Sequence, residues 1–310
     1  MKVLVTCPPM LGLMDEFTPC FAEKKVEVHC PQVVQTLSVD ELKQLVPQFD
    51  GWIIGDDPAN RAVFEAGRAG RLKAAVKWGV GVDNVDFAAA ESLGIPVINT
   101  PRMFGAEVAD IAMGYVIALA RQTFKIDRAV RVGEWIKPAG ISLAGKTVAL
   151  IGFGDIGRNT ARRLLAADMT VIAYDPYYQP AVGMEAVQSA TWPERLGEAD
   201  FIVVTCALTA TNHHMVNGST LAQAKPGVRV VNVARGPLID QAALVEGLAS
   251  GQVHSAALDV FEQEPLAADS ELRRFDNCVF GTHNSSNTID AVRRASYKAM
   301  DLLFGFLGLE

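Results

Sequence analysis

The sequence predicts an α/β protein made of two doubly wound, parallel-sheet lobes. Three observations carry this prediction. Short apolar runs alternate with helix-like segments through residues 1–99, a second alternation begins near Thr147, and a long apolar stretch over residues 107–123 lies between them. Strand–helix–strand alternation implies parallel strands with helices packed on the faces of a sheet. Two separate sets imply two sheets.

In the first set, residues 2–6, 26–29, 52–54, 72–77 and 96–98 read as strands. Ser38 opens a helix with Glu41 three residues on, a capping-box pattern, and residues 87–93 form a further helix. Residues 107–123 have helical periodicity and are apolar on more than one side. Two readings stand for them: burial against another lobe or subunit, or an ordinary core helix.

The second set opens with Val148-Ala149-Leu150-Ile151, a buried parallel strand by its continuous apolar run. The chain then turns through Gly152-Phe153-Gly154-Asp155-Ile156-Gly157, continues as a helix over 158–167, and re-enters a strand over 170–174 that ends on Asp175. This is a dinucleotide fingerprint of the Rossmann type. Gly152 permits the tight turn, Gly154 admits the pyrophosphate to the backbone, and Gly157 lets helix and strand pack closely. The helix N-terminus offers unpaired N–H groups to phosphate. Asp175 is placed to accept from ribose hydroxyls and would repel a 2′-phosphate, and Pro176-Tyr177-Tyr178 supply no cation, so the cofactor is NAD. Strands over 201–205, 228–233, 254–258 and 278–281 and a helix over 241–249 complete a lobe of about six strands, and a terminal helix over 288–307 could return to the first lobe.

At 310 residues, half of them hydrophobic and a fifth charged, the chain is a globular protein of roughly two domains. A net charge of −7 argues against a general nucleic-acid or anionic-membrane surface. The five cysteines are odd in number and contain no CxxC pair, and Cys206 and Cys278 sit in apolar runs, so buried, reduced thiols are expected. With no signal-like segment at Met1 and no membrane-length apolar run, a cytoplasmic location is expected. His213 and His214 are adjacent, so on a strand they would point to opposite faces, and no carboxylate lies at ligand spacing from either; they are read as ordinary loop residues and no metal is expected.

Three polar residues fall at the ends of second-lobe strands, where open α/β sheets place ligands. Arg235 precedes Gly236-Pro237; its guanidinium could grip a carboxylate or serve a structural ion pair. Glu264 lies in Asp259-Val260-Phe261-Glu262-Gln263-Glu264-Pro265, which composition alone reads as a solvated loop. His283 follows a core strand in Gly281-Thr282-His283-Asn284-Ser285-Ser286, either structural or an acid/base.

Together with Trp78-Gly79-Val80-Gly81-Val82-Asp83-Asn84 and Ala234-Arg235-Gly236, these motifs resemble the NAD-dependent D-2-hydroxyacid dehydrogenases, especially the phosphoglycerate dehydrogenase branch, over nearly the whole chain. The resemblance implies a Rossmann NAD-binding domain over 100–287 and a flavodoxin-like substrate domain over 1–99 with 288–310. It implies that Arg235, Val80 and Gly81 hold the substrate carboxylate, that His283 is the acid/base, and that Glu264 orients it and favours its protonated form. Asp259 would meet the nicotinamide carboxamide and Asp175 the adenosine ribose, with Asp155, Ile156, Cys206 and Ala234 among the other cofactor contacts. It also implies a homodimer formed around 107–121 and a small 2-hydroxy or 2-keto acid substrate.

The chain departs from the family pattern in two places. Thr282 replaces a proline common before the histidine, with Asn284-Ser285-Ser286 after it. Gly55-Asp56-Asp57 stands where relatives with phosphorylated substrates often carry an arginine, so two carboxylates would face a phosphate unless Lys77, Arg61 or Arg102 compensates. Phosphoglycerate dehydrogenase leads narrowly over a glyoxylate or hydroxypyruvate reductase, and serine feedback through a regulatory extension is not expected. A non-catalytic NAD-sensing scaffold is the alternative of a different class; it would give no reason to keep Arg235, Glu264 and His283 together.

Overall fold

Five short parallel strands build the first sheet. They are β1 (Lys2–Val5), β2 (Glu27–His29), β3 (Gly51–Ile54), β4 (Ala74–Lys77) and β5 (Val97–Asn99), paired in the order β2-β1-β3-β4-β5. That is the flavodoxin-type winding, with the order reversing between β1 and β3. The structure is a computed structural model that describes residues 1–309; residue 310, the last of the expected terminal segment, lies outside the described residues. The chain divides into two units, Met1–Met103 with the segment from Asn287 onward, and Phe104–Ser286.

The helices of the first unit are α1 (Pro8–Leu11), α2 (Met14–Glu23), α3 (Val39–Leu45), α4 (Arg61–Ala69) and α5 (Phe87–Ser92). On one side of the sheet, Leu4, Trp52 and Ile54 pack with Leu42 of α3, Phe64 of α4 and Ala89 of α5. Ser38 and Glu41 form the expected capping box of α3, each reaching the other's backbone N–H. The short α1 and the longer α2 and α4 were not anticipated. Pro19 inside α2 argues against a helix there, but Asn60 does cap α4 by accepting from Val63 N at 3.1 Å, a signal that was legible.

The second sheet comprises β6 (Thr147–Ile151), β7 (Thr170–Tyr174), β8 (Gln188–Ser189), β9 (Phe201–Val204), β10 (Val228–Asn232), β11 (Val253–Leu258) and β12 (Val279–Phe280). Their order is β12-β11-β10-β9-β6-β7-β8, all parallel, which is the Rossmann winding with one strand added at the far edge. The seventh strand exceeds the expected six. β8, only two residues long and exposed, has no apolar run to announce it.

α6 (Gly105–Arg121) is the helix expected over 107–123, ended by Gln122 in a left-handed conformation at φ 54°, and a separate α7 (Thr123–Arg131) follows it. α6 buries Val108, Ala109, Ala112 and Val116 and packs within its own unit against α8 (Asp155–Ala166). α8 starts three residues before the expected Arg158, so Asp155, Ile156 and Gly157 are its first turn. α9 (Gly218–Gln223) and α10 (Gln241–Ser250) complete the unit.

α11 (Ile289–Leu307) belongs to the first unit and lies against β3 and β4. A Cβ on Gly51 would fall 3.1 Å from both Leu303 and Leu307, so glycine opens the strand beneath this helix. No helix among the described residues is long and apolar enough to cross a membrane. All five cysteines are free, but they are not uniformly buried: Cys7 and Cys278 are, Cys20 and Cys206 are partly so, and Cys30 is exposed.

Candidate active site

The turn after β6 is built around its glycines. Gly152 has φ +94°, and a Cβ there would fall 2.7 Å from the backbone of Cys206. Gly157 is tighter still: its Cβ would sit 2.1 Å from Gly152 O, so only glycine lets the first turn of α8 lie on the strand end. At Gly154 nothing lies within 4 Å of a Cβ, leaving open space over the turn in front of the N-terminus of α8. That space is what a pyrophosphate needs, and the helix end supplies N–H donors towards it. The side chain of Asp155 is turned away, against Gly105 at the start of α6, so the groups that Asp155 and Ile156 can offer phosphate are their main-chain N–H groups.

The order of the second sheet reverses between β6 and β9, which puts Gly152 and Cys206 at its switch point, the ligand-binding position of such sheets. Burial pushes the Cys206 thiol up to about 11, so it is a neutral wall residue. Asp175, at the end of β7, accepts from Phe153 N at 2.6 Å through Oδ2 and from Tyr177 N at 2.8 Å through Oδ1. Each oxygen keeps lone pairs for ribose hydroxyls. The residues therefore fit NAD.

His283 and Glu264 meet. His283 Nδ1 lies 2.8 Å from Glu264 Oε2, while Glu264 Oε1 accepts from Phe261 N at 3.0 Å. Both carboxylate oxygens are thus fixed, and both side chains are about four-fifths buried. As the acceptor in this contact, the carboxylate calls for the tautomer that carries a proton on Nδ1. The solvated-loop reading of Glu264 gives way to a contact with His283 across nineteen residues of sequence.

The loop that carries His283 is held by Asp259. Its carboxylate, on a residue 2 % exposed, accepts from Asn284 N at 3.1 Å and Ser285 N at 2.8 Å, and its carbonyl accepts from His283 N at 2.7 Å. These bonds keep His283 at φ +55°, a conformation that costs a side-chain-bearing residue energy unless its surroundings enforce it. Gly281 belongs to the same arrangement. A Cβ on it would fall 2.1 Å from Asp259 Oδ1 and 2.6 Å from Tyr115 Oη. Neither Gly281 nor Tyr115 was identified from sequence; a glycine two residues before the histidine was the available signal.

Arg235 leaves the end of β10 in extended conformation, and its Nη1 donates to Ala234 O at 2.9 Å. Gly236 then passes so close to the Asp259–Pro265 loop that a Cβ would fall 1.9 Å from Phe261 O. Ala234 is buried beside it, its N–H donating to Asn232 Oδ1 at 3.0 Å. The backbone joins Arg235 to the loop that bears Glu264.

In the first unit, the Val80–Gly81 loop follows β4 and is propped from behind. Asn99 Nδ2 donates to Val80 O at 3.2 Å, and Gly79 N donates to Thr100 Oγ1 at 2.8 Å. The expectation for Asp56 and Asp57 is corrected. Asp57 does not face a ligand: it is fully buried, accepts from Gly55 N at 3.2 Å, Leu37 N at 2.9 Å and the Thr6 hydroxyl, and burial raises its carboxyl despite these donors.

His213 and His214 lie in a turn, as expected of loop residues, with their rings 3.9 Å apart at 31°, and His214 Nε2 sits 2.6 Å from Glu262 Oε1. His214, Asp240 and Glu262 bring ligand atoms within 4.8 Å of one another. Sequence spacing concealed this, because the partners are far apart along the chain. Asp240 caps α10 by accepting from Ala243 N at 3.1 Å, and Glu262 Oε1 also accepts from Gln241 N at 3.1 Å, so the cluster secures a helix start.

The comparisons agree with this geometry. The pattern of the D-isomer specific 2-hydroxyacid dehydrogenase NAD binding domain matches residues 113–285. A hydroxypyruvate reductase of Thermotoga maritima is 38% identical over 280 residues, covering 88% of this chain and 90% of the reductase. A D-3-phosphoglycerate dehydrogenase of Methanocaldococcus jannaschii is 36% identical over 95% of this chain, which spans only 55% of that enzyme. The apo-structure of the Escherichia coli D-lactate dehydrogenase superposes with a TM-score of 0.84 at 28% identity, covering 100% of this chain and 98% of that one. Sheet order, glycine turn and family pattern converge, and the chain belongs to the D-isomer specific 2-hydroxyacid dehydrogenases, NAD-dependent oxidoreductases acting on the CH–OH group of their donors.

Proposed function

We propose that this chain interconverts a small D-2-hydroxy acid and its 2-keto partner, with His283 as the acid/base, Glu264 as its orienting partner and Arg235 as the substrate clamp. The observation that supports the proposal is the 2.8 Å contact of His283 Nδ1 with Glu264 Oε2, which fixes the orientation of the imidazole. Bound NAD supplies the site that accepts or returns a hydride at C2. His283 Nε2 takes the hydroxyl proton as the acid is oxidised and returns it to the carbonyl oxygen in reduction. Glu264 balances the charge the ring then carries. Arg235 holds the carboxylate and the C2 oxygen, and the Val80 and Gly81 amides bind the carboxylate as well.

The cofactor is assigned to Gly152, Gly154, Gly157 and the N–H groups of Asp155 and Ile156 for its phosphates, and to Asp175 for the adenosine ribose. Cys206 and Ala234 line it, and Asp259 contacts the carboxamide through lone pairs its backbone donors leave. The unit of Phe104–Ser286 is thus the NAD-binding domain and the unit containing Met1–Met103 the substrate domain. The working form is a cytoplasmic homodimer.

The test is His283→Ala. Turnover with NADH and a 2-keto acid should fall by about 10²–10⁴-fold while NADH affinity stays within about twofold, because an acid/base is removed from a cofactor site left whole. Undiminished turnover would remove His283 from the chemistry.

A further inference from the structure

Lys77 closes β4 and is only 2 % exposed. Taking an ammonium out of water is costly unless each of its three donors finds an acceptor. Each does: Nζ lies 2.7 Å from Gly55 O, 3.0 Å from Asp56 Oδ1 and 3.1 Å from Trp78 O. Asp56 balances the charge. What the lysine adds is a mechanical link, because it binds a main-chain carbonyl of the loop after β3 and another of the loop after β4.

A second link ends on the same carbonyl. Asn84 Nδ2 donates to Gly55 O at 3.1 Å and to Asp57 O at 2.7 Å. Gly55 is itself pressed against the chain leaving β1, where a Cβ would fall 2.7 Å from Thr6 O. The arc from Gly79 to Asp83 is therefore fastened at both ends to one braced point. Within it Gly79 has φ +129°, a conformation that favours glycine, and the N–H groups of Val80 and Gly81 donate to no described residue. Two main-chain donors left over on an arc pinned from behind are preorganised for an anion, since the ordering is complete before a ligand arrives.

We propose that Lys77 and Asn84 are positioning residues for the substrate carboxylate. Acting through Trp78 O and Gly55 O, they set the Val80 and Gly81 amides, and neither touches the substrate. This rests on the dehydrogenase reading above and adds to it the residues that hold the carboxylate cradle in shape. The test uses NADH and whichever of hydroxypyruvate, glyoxylate and 3-phosphohydroxypyruvate the native chain turns over fastest. Asn84→Ala should raise KM for the keto acid by about tenfold and Lys77→Met by more, with kcat within about threefold of native and NADH affinity within about twofold. General loosening of the fold would instead lower kcat, NADH affinity and melting temperature together. Asn84→Ala disturbs no charge, so it decides alone where Lys77→Met fails to fold. An unchanged KM in a folded Asn84→Ala variant overturns the proposal, as does a fall in kcat at constant KM; both leave the dehydrogenase reading standing, because the native chain still turns over its acid. No NADH oxidation by the native chain with any of the three acids would defeat that reading, and the proposal with it.

Discussion

Gly154 and Gly157, three residues apart, separate binding from folding at the level of single residues. A methyl on Gly154 meets no protein atom, so it would intrude only into the space offered to phosphate. A methyl on Gly157 would lie 2.1 Å from Gly152 O, which is backbone and cannot swing aside. Gly154→Ala should therefore weaken NADH binding by about tenfold or more and leave the melting temperature within about 2 °C, since an N-cap glycine is worth less than about 1 kcal/mol over alanine. Gly157→Ala should lower the melting temperature by several degrees, because the strand end or the first turn of α8 must shift. Fluorescence titration with NADH and thermal melts read the two effects separately. Equal effects of both variants on both readouts would show that the turn is not divided in this way.

Among the elements, the first sheet depends on one buried acid at the junction of three strands. Asp50, 2 % exposed and immediately before β3, accepts from Lys2 N of β1 at 2.9 Å and pairs with Arg71 at 2.9 Å and Lys73 at 3.1 Å on the approach to β4. Burial alone would raise its carboxyl, but these donors outweigh burial and hold it down at about 2. Its folded pKa is thus depressed below the unfolded value near 3.8, so its stabilisation is complete above that value and is lost as pH falls through about 2. Asp50→Asn should destabilise the protein by about 1–3 kcal/mol at pH 7 and by less near pH 2, as followed by urea unfolding. A variant as stable as the native chain at pH 7 would exclude the bridging role. How far such elements can be read from sequence depends on the range of the interaction. The turn from Gly152 to Gly157 and the box of Ser38 and Glu41 were legible because each is a local demand on backbone or cap. The pairing of Glu264 with His283 was legible only through resemblance, and the contact of His214 with Glu262 was not legible at all, because both join residues distant in sequence. β8 was missed for a different reason: it is an edge strand without an apolar pattern.

For the whole molecule, the open question is the number of chains, and the second unit carries the surface that decides it. α6 turns its small and branched residues into its own unit, but Ile111 and Ile117 remain partly exposed on the same helix. Beyond it Phe124 and Val130 of α7 are exposed, and Val132 and Trp135 are 75% and 80% exposed on the segment that follows. Large apolar side chains concentrated in one stretch of about twenty-five residues are costly against water and mark a surface that associates. A second copy of this chain is the occupant expected here, since a two-fold pairing brings the same apolar stretch to both sides of one interface. Sedimentation velocity should then give a particle of twice 33.3 kDa. Replacing both Ile117 and Trp135 with Asp should yield monomers that still bind NADH, because neither residue belongs to the glycine turn or the His283 loop. A native chain that sediments as a monomer at micromolar concentration, or a double variant that stays dimeric, would place the association elsewhere or remove it.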